Sequence, residues 1–234
     1  MGAIIRDERI GGQRLILGDC LAVIGGIEAN SLVTDPPYGM AYKSGYATDT
    51  LWGSRRDIAG DETTFARDAV VAWSGCRPAL VFGTWKVPRP ASVRQVLIWD
   101  KGGALGMGAL DIPWKPDHEE IYVIGRGFIG TRDCGSVIRC PPVQSMAKNG
   151  RVHPTEKPVR LMQEMVRKVP GIVLDPFMGS GTTLVACQRM GRNGIGIECD
   201  PDHFETACRR VWEATQQPDL FVAPAETPKQ EVLL

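Results

Sequence analysis

From Ile172 to Trp212 the chain alternates between two periods. Ile172-Val173-Leu174 is a short apolar run that suits a buried strand. A turn with two glycines follows, Asp175 to Thr183, and then a helix through about Met190. Gly194 to Glu198 is a second strand. Asp200 caps the next helix, with Pro201 at its first position, and Phe204, Ala207, Cys208, Val211 and Trp212 form its apolar stripe. Strands joined by single helices run parallel, with the helices packed across them. The same rhythm recurs near the start. Arg14 to Leu17 is a strand that exits at Gly18-Asp19-Cys20, Leu21 to Ile27 is a short helical segment, and Ser31-Leu32-Val33 is a strand. A helix over 65–76 precedes the strand Ala79 to Gly83. Val96 to Trp99 and Ile121 to Ile124 are strands with no convincing helix between them, so part of the sheet is expected to be antiparallel. From Lys157 the pattern is helical, with Met162, Met165, Val166 and Val169 on one face and Gly171 as its stop. The fold expected is α/β, a mostly parallel, doubly wound, Rossmann-like sheet with an antiparallel strand.

A chain of 234 residues suits one large domain, here 1–215, followed by a tail over 216–234. Residues 1–13 are expected to be a loose arm. Residues 40–64 are polar and Gly-rich, with Tyr42, Lys43, Tyr46, Trp52, Arg55 and Arg56, and are expected to form a mobile loop. Residues 128–152 have weak periodicity and are expected to be a short insertion. Formal net charge is zero, which decides nothing about nucleic acid. Locally, Arg132, Arg139, Lys148, Arg151, Lys157 and Arg160 outnumber Asp133 and Glu156 between 128 and 160. The seven cysteines include no C-x-x-C pair and no Cys/His zinc spacing, so no metal is expected, and reduced thiols point to a cytoplasmic protein. No apolar run reaches membrane-spanning length, and Arg6, Asp7, Glu8 and Arg9 stand where a signal peptide needs an apolar core.

Thr34-Asp35-Pro36-Pro37-Tyr38-Gly39 follows the Val33 strand. Two prolines cannot continue a sheet ladder, because neither has an N–H. The chain leaves the sheet in a fixed extended shape that presents a carboxylate, the Pro36 carbonyl and an aromatic ring. In open α/β sheets, ligands bind at such strand ends. The turn at 175–183 lets a ligand approach the backbone but lacks the lysine of G-x-x-x-x-G-K-[ST] and the third glycine of G-x-G-x-x-G, since position 184 is Leu. A ligand without pyrophosphate fits better. Glu198, at the next strand end, can take both hydroxyls of a ribose. A ribose-bearing ligand without phosphates, beside Asp35, suggests S-adenosylmethionine.

Asp35-Pro36-Pro37-Tyr38, together with Asp175-Pro176-Phe177-x-Gly179-x-Gly181-Thr182-Thr183, resembles the amino-group DNA methyltransferases. The order, with Asp-Pro-Pro-Tyr first and the glycine loop last, resembles their β class. Gly18-Asp19-Cys20 is similar to the family's adenine-ring contact. Val96 to Lys101 and His118 to Ile121 are similar to its later sheet motifs, and His153-Pro154-Thr155-Glu156-Lys157-Pro158 to the segment that closes over the methionine end of the cofactor. The resemblance spans roughly 14–215. It implies a Rossmann-like methyltransferase of bacterial or phage origin acting on DNA. It implies catalysis by Asp35, Pro36, Pro37 and Tyr38. It implies S-adenosylmethionine binding by Asp19, Cys20, Asp35, His153, Thr155, Lys157, Asp175, Phe177, Gly179, Ser180, Gly181, Thr182, Thr183 and Glu198. Only about 25 residues lie between Gly127 and His153, where this class holds its target-recognition insertion. Arg55, Arg56, Arg132, Arg139, Lys148 and Arg151 are the candidate DNA contacts.

Within this resemblance Asp35 favours adenine N6, because Ser is commoner there in cytosine N4 enzymes. Cytosine C5 chemistry is disfavoured, since no Pro-Cys dipeptide exists; Cys140 instead precedes Pro141. A catalytically inactive DNA-binding protein of the same fold is the alternative from another class. Action on RNA or protein glutamine would be expected with Asn-Pro-Pro-Tyr, and a nicotinamide dehydrogenase fails on the glycine pattern. A homodimer is implied by the family alone. Gln217-Pro218-Asp219-Leu220-Phe221 resembles the short peptides that dock on bacterial sliding clamps, against the alternative that Leu220 and Phe221 pack on the protein's own surface.

Overall fold

The computed structural model describes residues 4–39, 63–103, 111–143 and 156–216. Its strands are β1 (Ile4–Ile10), β2 (Gln13–Gly18), β3 (Ser31–Thr34), β4 (Ala79–Gly83), β5 (Val93–Asp100), β6 (His118–Ile124), β7 (Val137–Arg139), β8 (Val173–Asp175) and β9 (Gly194–Glu198). The helices are α1 (Cys20–Val23), α2 (Phe65–Ser74), α3 (Val159–Val166), α4 (Thr182–Arg189) and α5 (Pro201–Gln216). The strands form one sheet in the order β1-β2-β9-β8-β3-β4-β6-β5-β7. β2, β9, β8, β3 and β4 are parallel neighbours. β1 and β6 run against the strands beside them.

Strand side chains alternate between two cores. Leu32, Val81, Leu174 and Ile197 face a cluster with Val23, Ile24 and Ile27 after β2 and Val70 of α2. Val33, Leu80, Phe82 and Val173 face Leu161, Met162, Met165 and Val166 of α3 and Ala186 of α4, and Leu15 and Leu17 face Phe204, Ala207 and Val211 of α5. Helices thus cover both faces, as the doubly wound pattern predicts. Asp200 caps α5 as expected, its Oδ1 accepting from the amides of Asp202 (2.8 Å) and His203 (3.1 Å).

Three expectations are corrected. Residues 4–10 are a strand rather than a loose arm. β1 pairs antiparallel with β2 along the sheet edge, and its charges hold it there: Arg14 donates to Asp7 (2.7 Å), and Arg6 reaches Glu205 of α5. A charged edge strand carries little apolar signal but blocks pairing with other chains. Trp212 is 56% exposed and outside the α5 stripe, since it lies about 100° round the helix from buried Val211. α3 ends at Val166, before Gly171. In addition, residues 137–139 of the expected insertion extend the sheet as β7, parallel to β5. The loop expected over 40–64 lies, up to residue 62, outside the described residues, as does the clamp-like peptide.

The connections after β3 and β8 leave for opposite faces. β3 leads through α2, on one core, to β4, whereas β8 leads through α4, on the other, to β9. The two strands are adjacent and parallel, with Leu32 opposite Leu174. Their carboxyl ends flank the crevice where the winding reverses, the position at which this architecture binds ligands. Asp175 clasps this point. Its Oδ1 accepts from the Thr34 hydroxyl (2.6 Å) and the Phe177 amide (3.2 Å), and its Oδ2 from the Thr183 hydroxyl.

Burial pushes the Asp175 carboxyl up to about 6 against these donors. Its folded pKa therefore lies above its unfolded value, so the native state holds this proton to higher pH. Stability falls as pH rises from about 4 to about 6 and levels off above. Between about pH 4 and pH 7 the wild type should lose about 3 kcal/mol more than Asp175→Asn does. Urea melts of both proteins across that range measure it, and parallel curves would refute it.

Candidate active site

β3 ends at Thr34, and the two prolines carry the chain out over the crevice. Asp35 keeps 28% of its side chain exposed and is met from three sides. Tyr38, three residues on, donates its hydroxyl to Asp35 Oδ1 (2.7 Å). Lys157 donates Nζ to Asp35 Oδ2 (2.5 Å). Glu119 of β6 completes the cluster, with Oε2 3.1 Å from Lys157 Nζ and 3.4 Å from the Tyr38 hydroxyl. Lys101 donates to Glu119 Oε1 (2.6 Å).

The setting is apolar. Lys157 Nζ lies 5.0 Å from the Phe82 ring centroid and 5.9 Å from that of Trp99, in reach of cation–π attraction. Those rings meet edge to face, and the indole of Trp99 donates to the Cys140 carbonyl (2.7 Å). Burial raises the Asp35 pKa, with Lys157 pulling it back and Glu119 pushing it up. Burial alone would raise Glu119, but Lys157 and Lys101 outweigh it and hold its carboxyl low. Burial alone would lower Lys157, but the two carboxylates outweigh it and keep the amine protonated.

The glycine loop sits across the crevice. Glu198, at the end of β9, accepts the Gly179 amide on Oε2 (2.9 Å) and the Cys199 and Asp200 amides on Oε1 (2.9 and 2.8 Å). The two loop glycines serve different ends. Gly181 has φ +81°, and a Cβ there would stand 2.8 Å from Ala207 Cβ, so it lets α5 pack close. Gly179 has φ +50°, and a Cβ there would meet nothing within 4 Å. Its Cα faces open space, as a seat for a ligand without phosphates requires. Asp19 caps α1 through the Leu21 amide (2.9 Å) at the end of β2, where Leu17 pairs with Glu198. Cys20 is buried beside it, its thiol pushed up to about 12 by burial.

A second charged pair ties the loop down. Arg210 of α5 donates to the Ser180 carbonyl and hydroxyl (both 2.7 Å) and to the Thr182 hydroxyl (3.2 Å), and it pairs with Glu156. Glu156 and Lys157 are consecutive, so one dipeptide binds the glycine loop through Arg210 and Asp35 directly.

Of the residues proposed from sequence, Asp19, Cys20, Asp35, Asp175, Phe177, Gly179 and Glu198 line one edge of the sheet. Asp175, Thr183, Ser180 and Thr182 spend hydrogen bonds within the protein. Lys157 lies on Asp35. Among the DNA candidates, Arg132 is exposed, and Arg139, 75% exposed, stands 3.6 Å from Asp100. His153, Thr155, Arg55, Arg56, Lys148 and Arg151 lie outside the described residues. Sequence reasoning assigned no site role to Glu119, Lys101 or Arg210. The first two lie within the segments read as later sheet motifs, Val96 to Lys101 and His118 to Ile121, and Trp99 stands opposite Glu119 in the strand pair. Among the described residues no group of His, Cys, Asp and Glu could hold a metal ion, and no helix is long and apolar enough to cross a membrane.

Comparisons with known proteins bear on the family and the fold. A DNA methylase family model, N6_N4_Mtase, matches residues 98–209. "Putative methylase YubD" of Escherichia coli (strain K12) is 31% identical over 223 residues, covering 85% of this chain and 90% of its own. The Type II methyltransferase M.HpaI of Haemophilus parainfluenzae is 42% identical over 67 residues, 27% of this chain and 21% of its own. Among solved structures, the M1.HpyAVI–SAM complex matches with a TM-score of 0.59 at 21% identity, covering 85% of this chain and 99% of that one. The PvuII DNA methyltransferase (cytosine-N4-specific) matches with a TM-score of 0.66 at 14% identity, covering 88% and 89%. At these identities the solved structures establish the fold, and the sequence relatives establish the family. The chain belongs to the N6/N4 DNA methylase family, whose methyl donor is S-adenosylmethionine.

Proposed function

We propose that the protein methylates the exocyclic N6 of adenine in DNA, with Asp35 to Tyr38 receiving the base and the loop at 175–183 seating the cofactor. The observation that carries this reading is the meeting of Asp35 and the glycine loop at one reversal point of the sheet. The choice of adenine over cytosine N4 rests on Asp at position 35.

An exocyclic amine is a weak nucleophile because its lone pair is delocalised into the ring. The Asp35 carboxylate and the Pro36 carbonyl are two acceptors for its two N–H groups. Held by both, the nitrogen becomes more nearly tetrahedral and its lone pair is freed. When bound, S-adenosylmethionine supplies a sulfonium-borne methyl group, which that lone pair takes up while the electrons of the broken C–S bond stay on sulfur. The methylated nitrogen then gives up a proton, and Asp35 is placed to accept it. Gly179 and Glu198 are the residues for the ribose side of the cofactor, and Asp19 and Cys20 for its adenine side. The site orients the reactants and stabilises developing charge. A base within a duplex must first leave the stack, at a cost of roughly a few kcal/mol. Tyr38 turns in towards Asp35, its hydroxyl donating to Oδ1, beside the place proposed for the base.

Labelled S-adenosylmethionine and unmethylated DNA, followed by digestion, should yield N6-methyladenine. N4-methylcytosine would move the assignment to the other base, and label on RNA or protein alone would reject it. Asp35→Ala should lower transfer by roughly a thousandfold or more, with cofactor affinity within a few-fold of wild type by calorimetry.

Arg210→Met should raise the cofactor dissociation constant by about tenfold, equivalent to about 1.4 kcal/mol, and change kcat less. An unchanged dissociation constant would show that the Arg210 bridge does not shape the loop.

A further inference from the structure

Asp35 has a problem to solve before it can serve the target base. Its Oδ1 holds the Tyr38 hydroxyl and its Oδ2 the Lys157 ammonium, at 2.7 and 2.5 Å. An incoming amine N–H must compete with these donors, above all the charged Lys157, for the lone pairs of the carboxylate. Lys157 cannot retreat into solvent, since it is 9% exposed and packed against Phe82 and Trp99. A buried ammonium stripped of its partner is costly. Among the described residues, one other carboxylate is in reach. Glu119 Oε2 is already 3.1 Å from Lys157 Nζ, and its other oxygen is fixed by Lys101 at 2.6 Å.

We propose that Glu119 is a positioning residue for methyl transfer, receiving the Lys157 ammonium when Asp35 turns its oxygen to the amine of the base. The inference rests on the reading of Asp35 given above and extends it to a neighbour.

The charges support the exchange. Asp35, Glu119, Lys157 and Lys101 sum to zero, and the sum is unchanged as Lys157 moves from one carboxylate to the other. Lys101 anchors Glu119 so that its free oxygen stays aimed at Lys157. Trp99 stands opposite Glu119 across the β5–β6 pair, so the ring and the carboxylate share one face of the sheet. Without the Glu119 charge, Lys157 has Asp35 alone and holds it against the incoming amine.

The titratable neighbours of Asp35 are Tyr38 on its own segment, Glu119 from β6, Lys157 before α3 and Asp175 at the end of β8. Glu119 raises the Asp35 pKa and Lys157 lowers it. Glu119→Gln should therefore shift the acid limb of the kcat/KM profile to lower pH, and Lys157→Met should shift it to higher pH. A side chain needed only for packing would move neither.

The test is a double-mutant cycle on methyl transfer to DNA, with pH profiles and cofactor binding measured in parallel. Glu119→Gln should lower kcat by roughly tenfold or more in the wild-type background but by less than about twofold beside Lys157→Met, a coupling expected of side chains that act through one another. Glu119→Asp, which keeps the carboxylate, should recover most of the loss. Equal losses in both backgrounds, an acid limb that stays in place, or no recovery by aspartate would overturn the role of Glu119. Absence of transfer by the wild type would instead overturn the functional reading on which it rests.

Discussion

Asp175 is a buried carboxylate with three donors from three places. Thr34 ends β3, Thr183 opens α4, and the Phe177 amide lies in the loop between β8 and α4. An isolated buried charge costs several kcal/mol or changes protonation. This one is sustained by hydrogen bonds to its charged form, each stronger than a neutral pair. The clasp fixes how far the exit at Asp35 stands from the glycine loop. Asp35 is the next residue after Thr34, and Gly179 lies two residues beyond Phe177. A methyl transfer depends on such separations to a fraction of an ångström, and here one carboxylate spans both sides.

A second tie crosses the crevice through Glu156 and Lys157. Pro158, which follows them, disfavours helical backbone at Lys157. Glu156 reaches Arg210, and through it Ser180 and Thr182; Lys157 reaches Asp35 and Glu119. The dipeptide thus links the glycine loop to the Asp35 carboxylate. On the proposed roles, such a link gives a physical route by which cofactor binding can alter the hold on Asp35, because one peptide bond joins the two residues.

Much of the architecture was legible because it follows from periodicity. The two-residue alternation of Leu32 to Val33 and Leu80 to Phe82, and the 3.6-residue stripe of Phe204 to Val211, are dictated by which face is buried. What escaped at the sheet edge and around Asp35 has one common cause: its signal is charge rather than apolarity. β1 holds its edge with Arg6, Asp7 and Arg14, so it resembles a solvated arm in sequence. Glu119, Lys101 and Arg210 act through partners 18 to 54 positions away, and no local pattern encodes such pairing. The motif residues were found because close backbone approach demands glycine and because a double proline has few structural uses. Even so, sequence did not separate Gly179, whose Cα faces open space, from Gly181, which is required by Ala207.

The sheet order explains how motifs at opposite ends of the chain come to share a site. β3 and β8 are adjacent although more than a hundred residues separate them, because the chain builds outward from β3 through β4, β6 and β5 before returning to β8. The strands between the two motifs, β4 to β7, therefore lie on one side of the crevice, and β9, β2 and β1 lie on the other. The crevice walls accordingly differ in kind. The wall proposed to seat the cofactor is made by backbone amides, glycine and the hydrogen-bonded Glu198. The wall proposed to meet the base is made by rings and paired charges from β4, β5 and β6. A sulfonium donor and a flat heteroaromatic acceptor need such unlike surfaces, and a reversal in winding order supplies them from one continuous sheet.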